Sequence, residues 1–264
     1  MTNNKLPKIA LGAWAWGNDG TFGNNLTQDN LKPIFDTAMK NPMSEMIEMQ
    51  LKLMELNSFD IYWIHNVVDA PKWTEELAKY FEGKENVPML GVSNHNLEEI
   101  KQAAKILKEH GLKLSAVQNH FSLINRSSEK SGILEYCRQN DIYFFAYMVL
   151  EQGALTGNYD TKHPMPEGSA RAQTYNPVLD KLEILNKELK KLADKYNVKT
   201  AQIPVAWAIA KGTLPIIGVT KTSHVEDAIK ASKVTLTAEE TSELEKLAES
   251  LNINAIRFWE KEMK

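Results

Sequence analysis

Four apolar runs end on polar side chains of related kind: His65-Asn66, Ser93-Asn94, Gln118-Asn119, and Tyr147 with the loop after it. Serine, asparagine and glutamine can hold a planar carboxamide, and a tyrosine face can stack on an aromatic ring. The set suits a nicotinamide better than a metal ion, because side-chain amides are poor ligands for transition metals and one histidine is not a cluster. Further on, Gly218-Val219-Thr220-Lys221-Thr222-Ser223-His224 leaves an apolar run and opens a helix. Backbone N–H groups at a helix start favour an anion, Lys221 adds a charge, and His224 adds another charge or a hydrogen-bond donor. That segment reads as a phosphate site. The chain has no G-x-G-x-x-G, Walker loop, G-x-S-x-G or H-E-x-x-H. The acidic pairs Glu75-Glu76, Glu98-Glu99 and Glu239-Glu240 fall in first turns of helices, where they complement the dipole.

Side chains on separate runs meet only if the runs are strands whose carboxyl ends share a face, as in a parallel (β/α) barrel. The run F-D-I-Y-W-I-H-N at 59–66 is rich in aromatic and β-branched residues and reads as a buried strand. Further strands are predicted over 8–16, 89–92, 114–118, 142–147 and 215–218. Helices are predicted over 27–40 (capped by Thr27), 43–56, 73–81, from Leu97, over 132–138, 179–196 and 200–207, from near His224, and after Thr237 with Glu240 completing a capping box. In the helix over 43–56, Met43, Met46, Ile47, Leu51 and Met54 form a stripe expected to face the core. The polar stretch 160–177 is expected to be a loop long enough to be functional. Two helices follow each other across Asn41-Pro42 with no strand between them, which leaves six strands where a barrel needs eight.

The 264 residues suit one large α/β domain, and the 43% hydrophobic and 25% charged composition is that of a globular protein. A net charge of −3 gives no general reason to bind nucleic acid or an anionic membrane. Cys137 is the only cysteine, so no intrachain disulfide or cysteine metal cluster is expected. The amino terminus is polar and no apolar run reaches bilayer length, so the expected setting is cytoplasmic, without a membrane partner.

G-A-W at 12–14, D-I-Y-W-I-H at 60–65, G-V-S-N at 91–94, V-Q-N at 117–119, Q-G-A-L-T-G at 152–157, A-Q-I-P-V-A-W at 201–207 and I-I-G-V-T-K at 216–221 together resemble the aldo/keto reductases, in the family's order and over nearly the whole chain. The resemblance implies an eight-stranded (β/α) TIM barrel that uses NADPH, less often NADH, to reduce aldehydes and ketones to alcohols. It implies that His65 orients the substrate carbonyl, and that Ser93, Asn94 and Gln118 hold the nicotinamide amide over the ring of Tyr147. By the same resemblance Leu150, Gln152 and Gly153 cross the pyrophosphate, and Lys221 and His224 meet the adenosine 2′-phosphate. Trp14 and Asn66 fall at the substrate pocket. A small carbonyl substrate and a monomer or small homo-oligomer follow from the same reading.

One departure stands out. The family's tyrosine acid, its lysine and the aspartate paired with that lysine lie in D-T-A-x-x-Y-G and T-K-F patterns on the second and third strands. Neither pattern is present in this chain. Phe35-Asp36-Thr37-Ala38 imitates the first but sits in a predicted helix, with no tyrosine or glycine at the right spacing. A β-α-β block of about 60 residues is missing at a junction near 40–43. The expectation is therefore a single barrel domain over 1–264 lacking two adjacent strands, as an incomplete or open barrel. Its function is carbonyl reduction or, with the acid absent, NADP(H) binding without turnover.

Overall fold

The computed structural model describes residues 10–12, 43–65, 69–254 and 263. Trp14, Asn66, Asp36, the helix expected over 27–40 and the junction at 40–42 lie outside these residues. The chain forms two compact units, and the boundary passes through the ends of two strands.

The unit built from the middle of the chain contains α1 (Met43–Leu53), β2 (Ile61–His65), α2 (Ala70–Phe81), β3 (Met89–Ser93), α3 (Leu97–Glu109), β4 (Leu114–His120, to Asn119) and α5 (Ile133–Gln139). β2, β3 and β4 are parallel neighbours in that order. Along β2 burial alternates, with Tyr62 and Ile64 buried on one face and Ile61, Trp63 and His65 on the other. α2 packs through Leu77, Ala78 and Phe81, and α3 through Ile100, Ala103 and Leu107, spacings that draw one stripe along each helix. α3 starts sharply. The Asn96 side chain accepts from Glu99 N at 3.0 Å, and the Glu99 carboxylate accepts from Asn96 N at 2.8 Å.

The other unit contains β1 (Ala10–Gly12), the segment His120–Ser127, and the chain from Phe145 through the last helix. β6 (Leu214–Gly218) lies between β1 and β5 (Tyr143–Tyr147), all parallel, with Ala10 opposite Ile216 and Phe145 opposite Leu214. Helices α6 (Ala170–Tyr175), α7 (Leu179–Tyr196), α8 (Gln202–Ala210), α9 (Thr222–Ala231) and α10 (Ala238–Ser250) complete it. A short α4 (Ser127–Lys130) runs across the boundary. α8 is apolar nearly all round and is buried from Gln202 to Ala208, as such a helix must be. Its Trp207 is fully buried and stacks on Phe121 at 5.0 Å.

The described residues hold six strands. Among them β1 pairs with β6 alone and β2 with β3 alone, so each keeps an edge without a ladder partner. Among the described residues the sheet is short of a barrel's eight strands, as the sequence leads one to expect. Two expectations change. The stretch 160–177 is not all loop: Ser169 caps α6 by accepting from Ala172 N at 3.2 Å, and Ala172 and Tyr175 are buried. Along α1, Ile47 is buried, but Met54 falls beyond the helix end and is 61% exposed.

Candidate functional site

Strand register builds one row of candidate residues within the middle unit. In β2 and β3 residues pair one to one, so His65 lies opposite Ser93. In β3 and β4 an irregularity after Leu90 absorbs one residue, and Ser93 lies opposite Gln118. His65, Ser93 and Gln118 therefore stand abreast at the carboxyl ends of three neighbouring strands, about 5 Å from one strand to the next. The same alternation puts Trp63, Gly91 and Ala116 in the row beneath. A Cβ on Gly91 would lie 2.5 Å from two atoms of the Trp63 ring, so glycine is what lets that ring cross the sheet.

The turn after β3 is set by Asn94, whose φ of +60° is one that asparagine tolerates better than most residues. Asn94 N donates to Gln118 O at 3.0 Å, and its amide donates to the Ser93 hydroxyl at 3.3 Å. Ser93 is fully buried, Gln118 half-buried and His65 exposed. Among the described residues the side chains of His65 and Gln118 make no hydrogen bond. A hydroxyl and two amides supply both the donors and the acceptors that a planar carboxamide requires. Partial desolvation pulls the His65 imidazole below its usual pKa, so at neutral pH it is uncharged and offers one N–H donor.

In the sequence Asn119 is grouped with Gln118 at the strand end and His95 is passed over, and the structure places both behind the row. Asn119, fully buried, accepts from His95 N at 3.2 Å and donates to His95 O at 2.9 Å. This two-point clip fixes the chain just past Asn94. His95 Nδ1 donates to Ser93 O at 2.8 Å, and Met263 lies against the Asn119 amide at 3.6 Å. Period-two alternation carried the signal: if Gln118 faces the site, Asn119 must face away from it.

A separate cluster of candidate residues lies in the other unit. Tyr147 ends β5, half-buried, with its ring 5.5 Å from that of His120. Beyond it the backbone turns tightly. Leu150 (φ −96°, ψ 4°) is followed by Glu151, Gln152 and Gly153 with φ of 47°, 52° and 104°. Left-handed backbone costs about 1–2 kcal/mol at each non-glycine residue, and the turn closes on itself, with Glu151 N donating to Met148 O at 2.8 Å and Gly153 N to Leu150 O at 2.9 Å. Glu151 was passed over in the sequence, yet it is fully buried. It accepts from His120 Nε2 at 2.7 Å and from the hydroxyls of Ser122 and Tyr175.

β5 and β6 are parallel neighbours, so the segment after β6 leaves the same end as this turn. Lys221 is the extended residue ahead of α9, exposed and without a side-chain cap bond. His224 Nδ1 accepts from Thr220 N at 3.2 Å, which puts the proton of the neutral ring on Nε2. Among the described residues no group of three or more His, Cys, Asp or Glu could hold a metal ion, and no helix is long and apolar enough to cross a membrane.

The model of the aldo/keto reductase family matches residues 29–249. The chain belongs to the aldo/keto reductase family. This aldo/keto reductase chain is 33% identical over 159 residues to the chloroplastic pyridoxal reductase of Arabidopsis thaliana, covering 60% of the chain and 43% of that protein. It is 26% identical over 227 residues to the NADP(+)-linked aldo-keto reductase yakc of Schizosaccharomyces pombe, covering 82% of the chain and 65% of that protein. The chain thus spans between 43% and 65% of the length of these two relatives. The solved structure of the glycerol dehydrogenase of Gluconobacter oxydans superposes with a TM-score of 0.69 at 24% identity, over 81% of this chain and 65% of the other. The fold is that family's parallel (β/α) barrel in incomplete form, with six strands among the described residues.

Proposed function

We propose that this chain acts as an NADPH-dependent oxidoreductase of the aldo/keto reductase type, reducing aldehydes or ketones to alcohols. The observation that carries the proposal is the row His65, Ser93 and Gln118 on adjacent strand ends, with Asn94 beside it. Ser93, Asn94 and Gln118 hold the nicotinamide carboxamide, donor to acceptor and acceptor to donor, and so fix which ring face is presented. When bound, the cofactor supplies the hydride. His65, uncharged at neutral pH, donates an N–H to the substrate carbonyl oxygen and stabilises the charge that gathers there, and the alkoxide left by hydride addition takes its proton from water. Tyr147 stacks on the ring, the turn at Leu150, Gln152 and Gly153 faces the pyrophosphate, and Lys221 and His224 meet the 2′-phosphate. A cation at the 2′-phosphate favours NADPH over NADH, and the NADP(+)-linked relative supports that preference. Trp14 and Asn66 are assigned to the substrate pocket.

The test is carbonyl-dependent loss of NADPH absorbance over a panel of aldehydes that includes pyridoxal, since a relative is named for its reduction. A second reading rests on a specific observation: the tyrosine, lysine and aspartate patterns are absent from the sequence. In that reading the chain binds NADP(H) without turnover, as a regulatory pseudoenzyme. NADPH binding with no loss of absorbance on any carbonyl selects it. Absence of both binding and turnover removes both readings.

A further inference from the structure

Glu151 is a fully buried acid that the proposed chemistry leaves unused, and buried acids persist only where several donors satisfy them. Three donors converge on its two oxygens from separate parts of one unit. His120 comes from the end of β4, Ser122 from the segment after it, and Tyr175 from the last turn of α6. Ser122 Oγ also accepts from Asn125 N at 3.0 Å, which ties the 122–125 turn to the same group. On the outer side α6 makes a second attachment, with the Arg171 guanidinium 3.4 Å from Gln152 O and lying over the Tyr159 ring at 5.4 Å. Three successive left-handed residues are thus held between a carboxylate on one flank and an arginine on the other. Backbone bonds within the turn, Glu151 N to Met148 O and Gly153 N to Leu150 O, share the restraint with these side chains.

We infer that Glu151 is a positioning residue: through His120, Ser122 and Tyr175 it locks the turn 150–153 in the shape that faces the cofactor's pyrophosphate. The inference rests on the NADPH reading for its ligand and on geometry alone for the lock. Glu151 touches no substrate. It acts through the backbone it carries, and α6 is the brace.

Two variants test it: Tyr175→Phe, which removes one hydroxyl and keeps the buried ring, and Glu151→Gln, which keeps the shape and exchanges an acceptor for a donor. Amide hydrogen exchange of residues 148–157 is measured in the absence of cofactor. Affinities for NADPH and for adenosine 2′,5′-bisphosphate, which has no pyrophosphate bridge, are measured by calorimetry. The expected result for Tyr175→Phe is faster exchange confined to 148–157 and NADPH affinity weakened about tenfold, the size of one hydrogen bond to a charged group, with adenosine 2′,5′-bisphosphate affinity unchanged. Glu151→Gln gives the same pattern, enlarged. Unchanged exchange in Tyr175→Phe overturns the lock, and equal weakening for both ligands reduces Glu151 to a general stabiliser and overturns the positioning role. If the unsubstituted protein binds no NADPH, the function reading falls alone, and the exchange data still decide whether the lock exists.

Discussion

Gly91→Ala is the substitution whose consequence is most directly legible in the geometry. A Cβ at Gly91 would sit 2.5 Å from both Cε3 and Cζ3 of Trp63, where carbon atoms settle at about 3.5–4.0 Å. The indole must therefore retreat by about 1 Å, and its plane is too stiff to absorb that by bending. Overpacking of this kind costs about 1–3 kcal/mol. In a chain of this size each kcal/mol lowers Tm by about 2–4 °C. The displaced ring belongs to the residue two before His65, and the glycine to the residue two before Ser93, so the strain enters the row that defines the site. The assay is urea unfolding followed by tryptophan emission, with NADPH affinity measured in parallel. Trp63→Leu supplies the control: in the double variant the clash is gone, and the two costs should fall short of additive by about 1 kcal/mol or more. A Gly91→Ala protein within about 0.5 kcal/mol of the parent, or strictly additive costs in the double variant, refutes the reasoning.

Further predictions follow from single groups. Burial alone would push the Glu240 carboxyl up, but hydrogen bonds from Lys195, Thr237 N and Tyr196 outweigh it and hold the group down at about 2. A depressed carboxyl stabilises the fold above its unfolded pKa and loses that contribution as pH falls from about 4.5 towards about 2. Because Lys195 is 61% exposed, screening leaves about 1–2 kcal/mol, and Glu240→Gln should flatten the acid limb of the stability curve by that amount. Burial pushes the Cys137 thiol up to about 12, so it should resist thiol reagents at mildly alkaline pH and label fully in urea; rapid labelling of the folded protein contradicts its position. His110 donates its ring N–H groups to the Glu82 and Glu75 carboxylates, which raises its pKa, so its contribution to stability is complete below about pH 6.5 and fades as pH rises through the raised value, as a proton NMR titration of its ring would show. Asn96→Ala removes one arm of the capping box that starts α3 and should cost about 0.5–2 kcal/mol in thermal unfolding.

Much of the site was legible because strand periodicity is rigid. Once 59–65, 89–92 and 114–118 are read as parallel strands, His65, Ser93 and Gln118 must fall at one end, and only the one-residue irregularity after Leu90 was hidden. The capping box at Thr237 and Glu240 was equally plain, because two side chains at fixed spacing answer two backbone donors. The brace behind the turn was not legible. Glu151 draws its donors from 24 to 31 residues away in the chain, and no local pattern records such a meeting. α6 was missed for a related reason. A-R-A-Q-T-Y is too short to form alone, and burial of Ala172 and Tyr175 holds it. The interruption near 40–43 is an expectation from the sequence, where one predicted helix follows another with no strand between them, and it lies outside the described residues; among those, β1 and β2 each keep a bare edge.

The measurement that bears most directly on the whole account is a calorimetric titration of NADPH into the purified chain, repeated with Gln118→Ala. The half-buried Gln118 amide has no partner among the described residues, so a bound carboxamide should account for its cost and its gain. The account predicts saturable one-to-one binding, weakened by about tenfold or more in the variant. Saturable binding that Gln118→Ala leaves untouched would contradict it, and so would the absence of any heat in the parent protein.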